Sequence, residues 1–227
     1  MEDQRVTFSS ENPAGDCPAM VFGDPGTLKK GLILLHAWWG MNEEVQQHGR
    51  EISQEAGLVV LVPDLYRGKL AKDRETAGHY MADLDWLGAA SDVQGAARKL
   101  LSMGCGKVGV TGFCMGGALS FLTAATVPEI SASAPFYGIS KPHLADLAKI
   151  TIPVQGHFGA KDEVVGLSSP SDFYPLEKRL KDAGVNFELF VYDVGHGFAH
   201  PSYPTYNADA ATQAFSRMYK FMQDNLS

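Results

Sequence analysis

Apolar positions along the chain fall into short unbroken runs that alternate with longer stretches of helical spacing. Residues 31–36 (Gly-Leu-Ile-Leu-Leu-His) and 58–62 are continuous apolar runs. Such runs mark strands buried on both faces. Residues 107–111, 131–136, 153–158 and 187–192 read as further strands, 131–136 having the weakest pattern. Between them, 42–56, 71–84, 91–103, 114–125, 171–183 and 209–225 read as helices. Asn42 is placed to cap the first, and Gly57 and Gly184 to stop the first and the fifth. Strands alternating with helices predict an α/β fold: a mostly parallel central sheet flanked by helices on both faces. Residues 5–9 and 19–22 add an antiparallel edge. In such a sheet the reactive groups gather at the carboxyl ends of the strands, here near His36, Thr111, Phe158 and Tyr192.

Composition narrows the partners. The 227 residues suffice for one core, so 1–227 is expected to form a single domain. The net charge is −7, and the densest basic spot is only Lys29-Lys30, which argues against nucleic acid. The longest apolar run, 32–35, is too short to span a bilayer, and the start at 1–5 lacks a basic-then-apolar targeting pattern. Cys17, Cys105 and Cys114 show no CxxC spacing; an odd count predicts free thiols and a cytoplasmic setting. A small-molecule partner and a monomer or weak homo-oligomer are expected.

Gly112-Phe113-Cys114-Met115-Gly116-Gly117 follows a strand and opens a helix. This is the sharp turn that lifts a nucleophile above a sheet, with cysteine in the nucleophile's place. A helix starting there lays positive dipole on the sulfur. Asp162 follows the next-to-last strand in Gly159-Ala160-Lys161-Asp162, and His196 follows the last in Gly195-His196-Gly197. Nucleophile, acid and histidine thus occur in chain order at three strand ends, which predicts a Cys114–His196–Asp162 triad. The oxyanion donors are expected at the backbone N–H of Met115 and of Trp38, the latter in the loop after an early strand. Asp193 and Glu163 are weaker candidates for the acid. His157 reads as a satisfied core or rim histidine, and His48, His79 and His143 need no function. Cys17 and Cys105 read as bystanders, Cys105 as a surface thiol.

These motifs, with Trp39-Gly40-Met41-Asn42, Val62-Pro63-Asp64-Leu65-Tyr66, Phe136-Tyr137-Gly138 and Gly195-His196-Gly197-Phe198-Ala199, resemble the dienelactone hydrolase family from about residue 31 onward. The resemblance implies an α/β-hydrolase fold and ester or lactone hydrolysis of the carboxymethylenebutenolidase type, with the family's Cys–Asp–His triad on Cys114, Asp162 and His196. No cofactor and no metal are implied. His36, Trp39, Tyr66, Tyr137 and His200 are candidates for binding substrate. Two departures stand out: Ala37 occupies the place of a family glutamate, and His200 that of an arginine that binds the substrate carboxylate. Both halves of one charge pair are absent together, and Arg67, Lys69 or Arg74 is left to supply a cation. A thiolate suits activated esters better than amides, because it is also a good leaving group. Rival readings are a thioesterase or general carboxylesterase on the same triad, a non-catalytic ligand-binding protein, and a thiol switch pairing Cys114 with Cys105.

Overall fold

The computed structural model describes residues 3–227; of the charged start at 1–5, Met1 and Glu2 lie outside the described residues. The strands are β1 (Gln4–Phe8), β2 (Cys17–Phe22), β3 (Lys30–Leu35), β4 (Val59–Pro63), β5 (Lys107–Phe113), β6 (Ile130–Phe136), β7 (Val154–Gly159) and β8 (Phe187–Tyr192). The helices are α1 (Glu43–Ala56), α2 (Arg74–Ala82), α3 (Trp86–Ser102), α4 (Met115–Thr126), α5 (Pro170–Asp182) and α6 (Ala208–Asn225). One eight-stranded sheet runs in the order β1-β2-β4-β3-β5-β6-β7-β8. β3 to β8 are parallel, and the β1–β2 ribbon joins antiparallel through β2 on β4.

Alternation of side chains across the sheet explains the unbroken apolar runs. Leu32 and Leu34 of β3 join one buried cluster with Val45 and Ile52 of α1 and Met218 and Met222 of α6. Ile33 and Leu35 join another with Val93, Ala96 and Leu100 of α3. Leu32 to Leu35 are therefore covered on both faces of the sheet.

The helix limits have local causes. Asn42 Oδ1 accepts from Val45 N–H at 3.1 Å, and Gly57 closes α1 at φ 63°, its N–H on Ser53 O. α2 is shorter than the predicted 71–84, because Ala71 N–H is tied to Trp39 O at 3.0 Å and Asp73, two residues on, caps the helix. α3 starts ahead of the predicted 91: Asp85 Oδ1 accepts from Leu87 and Gly88 N–H. The exposed Leu87 hid that first turn from the apolar periodicity. Among the described residues no helix is long and apolar enough to cross a membrane.

Candidate active site

The parallel strands deliver their carboxyl ends to one rim, and neighbouring ends are stitched by backbone hydrogen bonds. Cys114 N–H donates to Phe136 O at 3.1 Å and Tyr137 N–H to His157 O at 2.9 Å. Ala160 N–H donates to Tyr192 O at 2.7 Å and Lys161 N–H to Val194 O at 2.9 Å. Cys114 is thereby fixed at φ 56°, ψ −111°, outside the relaxed regions for an L residue. Such a conformation costs on the order of 1–3 kcal/mol and persists only where the surroundings enforce it. They do: a Cβ on Gly116 would strike Leu35 O, and one on Gly138 would strike Cys114 O.

Asp162 Oδ2 accepts from His196 Nδ1 at 2.8 Å, and Asp162 is buried. Its other oxygen accepts from Val164 N–H at 3.0 Å, which fixes the carboxylate plane. Cys114 lines the same cleft as His196. Burial alone pulls the His196 pKa down; the hydrogen bond to Asp162, interaction with the Cys114 thiol and both their charges outweigh it and hold the group up at about 10. Ser168 Oγ, fully buried, lies 3.0 Å from the same Nδ1 and shares its proton with Asp162. No motif announces Ser168 in the sequence.

The three residues predicted at separate strand ends thus meet at one point. Cys114 and His196 line a cleft of about 480 Å³, walled also by Trp38, Met81, Leu167 and Tyr203. Arg74, Lys161 and Glu163 supply its charged rim. Trp38 lines this cleft. Among the described residues neither its backbone N–H nor that of Met115 has an acceptor. The alternative acids are placed apart from His196 Nδ1: Asp193 pairs with Lys161 at 2.9 Å, and Glu163 faces the cleft.

None of the five expected substrate contacts lines the cleft, and each has a structural occupation instead. His36 is fully buried, its Nδ1–H on Ala37 O at 2.7 Å and its Nε2 accepting from Leu65 N–H at 3.2 Å. It splices the ends of β3 and β4 as a neutral ring, and burial lowers its pKa. Trp39 Nε1–H donates to Tyr203 Oη at 2.8 Å and so fixes a cleft wall. Tyr66 points its hydroxyl at Met115 Sδ, 3.1 Å away. Tyr137, at φ 33°, sets its buried ring edge-on to His196 with centroids 5.1 Å apart. His200 is buried against Glu44, Nδ1 to Oε1 2.5 Å.

The cation candidates also sort themselves. Lys69 sits over the Tyr80 ring, and only Arg74 of the three reaches the cleft. Arg67 makes a two-pronged bond to the fully buried Asp92, both contacts at 2.8 Å. Arg67→Met should cost about 3 kcal/mol in urea unfolding, because it strands a buried carboxylate. A loss below about 1 kcal/mol would mean that Asn12, which also donates to Asp92, suffices alone.

The remaining histidine and thiols are structural. His157 is bonded through Nδ1 to Tyr192 Oη and through Nε2 to Gln155 Oε1, and burial lowers it to about 3. Burial raises the Cys17 thiol to about 12. Cys105 is buried rather than at the surface. It precedes β5 while Cys114 follows it; seven strand residues separate them by roughly 20 Å, far beyond disulfide reach. The thiol-switch reading therefore lacks its resolving partner.

Comparison with known proteins agrees with this geometry. The profile of the Dienelactone hydrolase family matches residues 17–226. "Protein usf" of Aquifex pyrophilus is 31% identical over 209 residues, 87% of this chain and 89% of its own. "Carboxymethylenebutenolidase 1" of Cupriavidus pinatubonensis is 31% identical over 179 residues, 74% of each chain. The crystal structure of a putative dienelactone hydrolase from Klebsiella pneumoniae superposes with a TM-score of 0.81 at 23% identity, covering 98% of this chain and 99% of that one. A match over nearly the whole length, on a sheet of the same architecture, leads to one conclusion: the chain belongs to the dienelactone hydrolase family of α/β-fold hydrolases.

Proposed function

We propose that the chain hydrolyses carboxylic esters or lactones through a thioacyl intermediate on Cys114. The observation that carries this reading is the convergence of Cys114 and the hydrogen-bonded His196–Asp162 pair on one apolar cleft. With its proton on His196, the sulfur attacks the carbonyl carbon as a thiolate and forms the C–S bond. The charge on the carbonyl oxygen is met by Met115 and Trp38 N–H, free at the start of α4 and after β3. Collapse breaks the C–O bond, and the alkoxide leaves with the His196 proton. Neutral His196 then takes a proton from water, hydroxide adds to the thioester, and the acid departs as the thiolate re-forms.

The cleft walls refine the substrate. Trp38, Met81 and Leu167 offer apolar contact to an acyl or alcohol group, while Arg74 stands at the rim without a carboxylate partner among the described residues. An acidic ester would meet Arg74, whereas His200 is committed to Glu44. Arg74→Gln should raise KM about tenfold for esters bearing a carboxylate, roughly 1.4 kcal/mol, and leave neutral esters unchanged. Equal shifts for both classes would remove Arg74 as an anion contact.

The direct test is a panel of p-nitrophenyl esters, a dienelactone and an acyl thioester, each reaction acid-quenched for mass spectrometry. Turnover with an acyl mass on the Cys114 peptide is expected, and the best substrate separates an esterase or lactonase from a thioesterase. Turnover without acyl label on Cys114 would sink the intermediate. Tight ligand binding with neither turnover nor label would favour the non-catalytic reading.

A further inference from the structure

Behind the loop that carries His196, three side chains converge that the proposed reaction does not use: Glu44 and His48 of α1, and His200. One ligand atom from each lies within 4.8 Å of the others. His48 and His200 are buried, their rings nearly perpendicular at 5.3 Å between centroids. His48 Nε2 and His200 Nδ1 are both buried without a hydrogen-bond partner. Unpaired buried ring nitrogens are costly, and two in one cluster beside a carboxylate need an explanation. His200 Nδ1 approaches Glu44 Oε1 to 2.5 Å, yet the pair is not aligned as a hydrogen bond.

The surroundings are those of a ligand set. The other nitrogen of His48, Nδ1, lies 3.7 Å from Glu51, and a proton held on that side would leave the Nε2 lone pair for a ligand. Ser202 donates to both oxygens of Glu44, from N–H at 3.2 Å and from Oγ at 2.8 Å, and sets its plane. A small surface cleft lined by Glu43, Glu44, Gln47, His48, Glu51 and Pro201 opens on the cluster, and its carboxylates favour entry of a cation. Neither histidine nor Glu44 lines the Cys114 cleft.

We propose that Glu44, His48 through Nε2 and His200 through Nδ1 bind a divalent first-row transition-metal ion of the Zn²⁺ type, with water in the fourth position. Two imidazoles and one carboxylate are donors of the right hardness for such an ion. Tetrahedral ligands stand ~3.3 Å apart, so His200 and Glu44, now 2.5 Å apart, would separate to admit the ion while the wider spacings, all within 4.8 Å, close around it. His200 lies on the loop of His196, and α1 follows the loop of Trp38. The ion would therefore clasp two loops that wall the cleft, and its effect would be on stability.

The test uses full-length, chelator-treated protein carrying Cys114→Ala, which removes the competing thiol–imidazole site, titrated with ZnCl2 by calorimetry. One Zn²⁺ per chain and a rise in Tm are expected, with affinity at least tenfold weaker in Glu44→Gln and in His48→Gln. Glu44 is partly exposed, so its variant keeps the test valid should the buried His48 change disturb folding. Absence of one-to-one binding, or unchanged affinity in Glu44→Gln, would overturn the site.

Discussion

Cys114→Ala should lower kcat/KM for the best ester by about 10⁴-fold or more and abolish the acyl label. Loss of a nucleophile in a triad removes the covalent route altogether, leaving only what the cleft and oxyanion donors achieve with water. Folding should survive, because alanine fits the same space and inherits the same φ of 56°. The strain is thereby separable from the chemistry. Cys114→Gly should be as inactive yet gain up to ~1 kcal/mol of stability, since glycine adopts that backbone without penalty. An inactive but more stable glycine variant would mean that the elbow holds its sulfur in place at the expense of stability. Full activity in Cys114→Ala would remove the sulfur from the reaction.

The meeting of Cys114, Asp162 and His196 was legible because each is announced by local backbone chemistry: a strand end, a glycine-flanked loop and a fixed chain order. The predicted sheet was legible for the same reason, as runs such as 31–36 have only one way to be covered on both faces. What failed was the direction of side chains. His36, Tyr66, Tyr137 and His200 occupy plausible loops, yet whether a ring points into the cleft or under it is decided by residues distant in sequence. Leu65 N–H claims His36, Met115 claims Tyr66, and His200 is buried beside Glu44. Ser168 and the wall residues Met81, Leu167 and Tyr203 were missed because they reach the cleft only by tertiary packing, with no signal in their own neighbourhoods. The Glu44–His48–His200 cluster shares that origin, being split between α1 and the loop after β8.

Asp162→Asn should cost about 10³–10⁴-fold in kcat/KM while leaving the cleft intact, because the amide keeps the shape and loses the charge. The effect on pH behaviour is more diagnostic than the rate alone. His196 is raised from an ordinary value of 6.5 to about 10, with Asp162 among the causes. A raised histidine stabilises the fold fully below its unfolded pKa, and that contribution disappears as pH rises through the folded one. Its share of wild-type stability should therefore be complete at about pH 6.5, fall steadily above it and be gone past about pH 10. Other groups titrate in that window, but they are common to both proteins, so the difference between the two Tm–pH curves isolates the Asp162 share. The gap should be widest at about pH 6.5, shrink steadily above it and close toward about pH 10. Activity carries the same signature: the leaving alkoxide needs the His196 proton, so the alkaline limb of wild-type kcat/KM should lie near pH 10 and move down in Asp162→Asn. Superimposable profiles would mean that the carboxylate orients the ring without holding its proton. In that case Ser168, the other group on Nδ1, would be the next to replace.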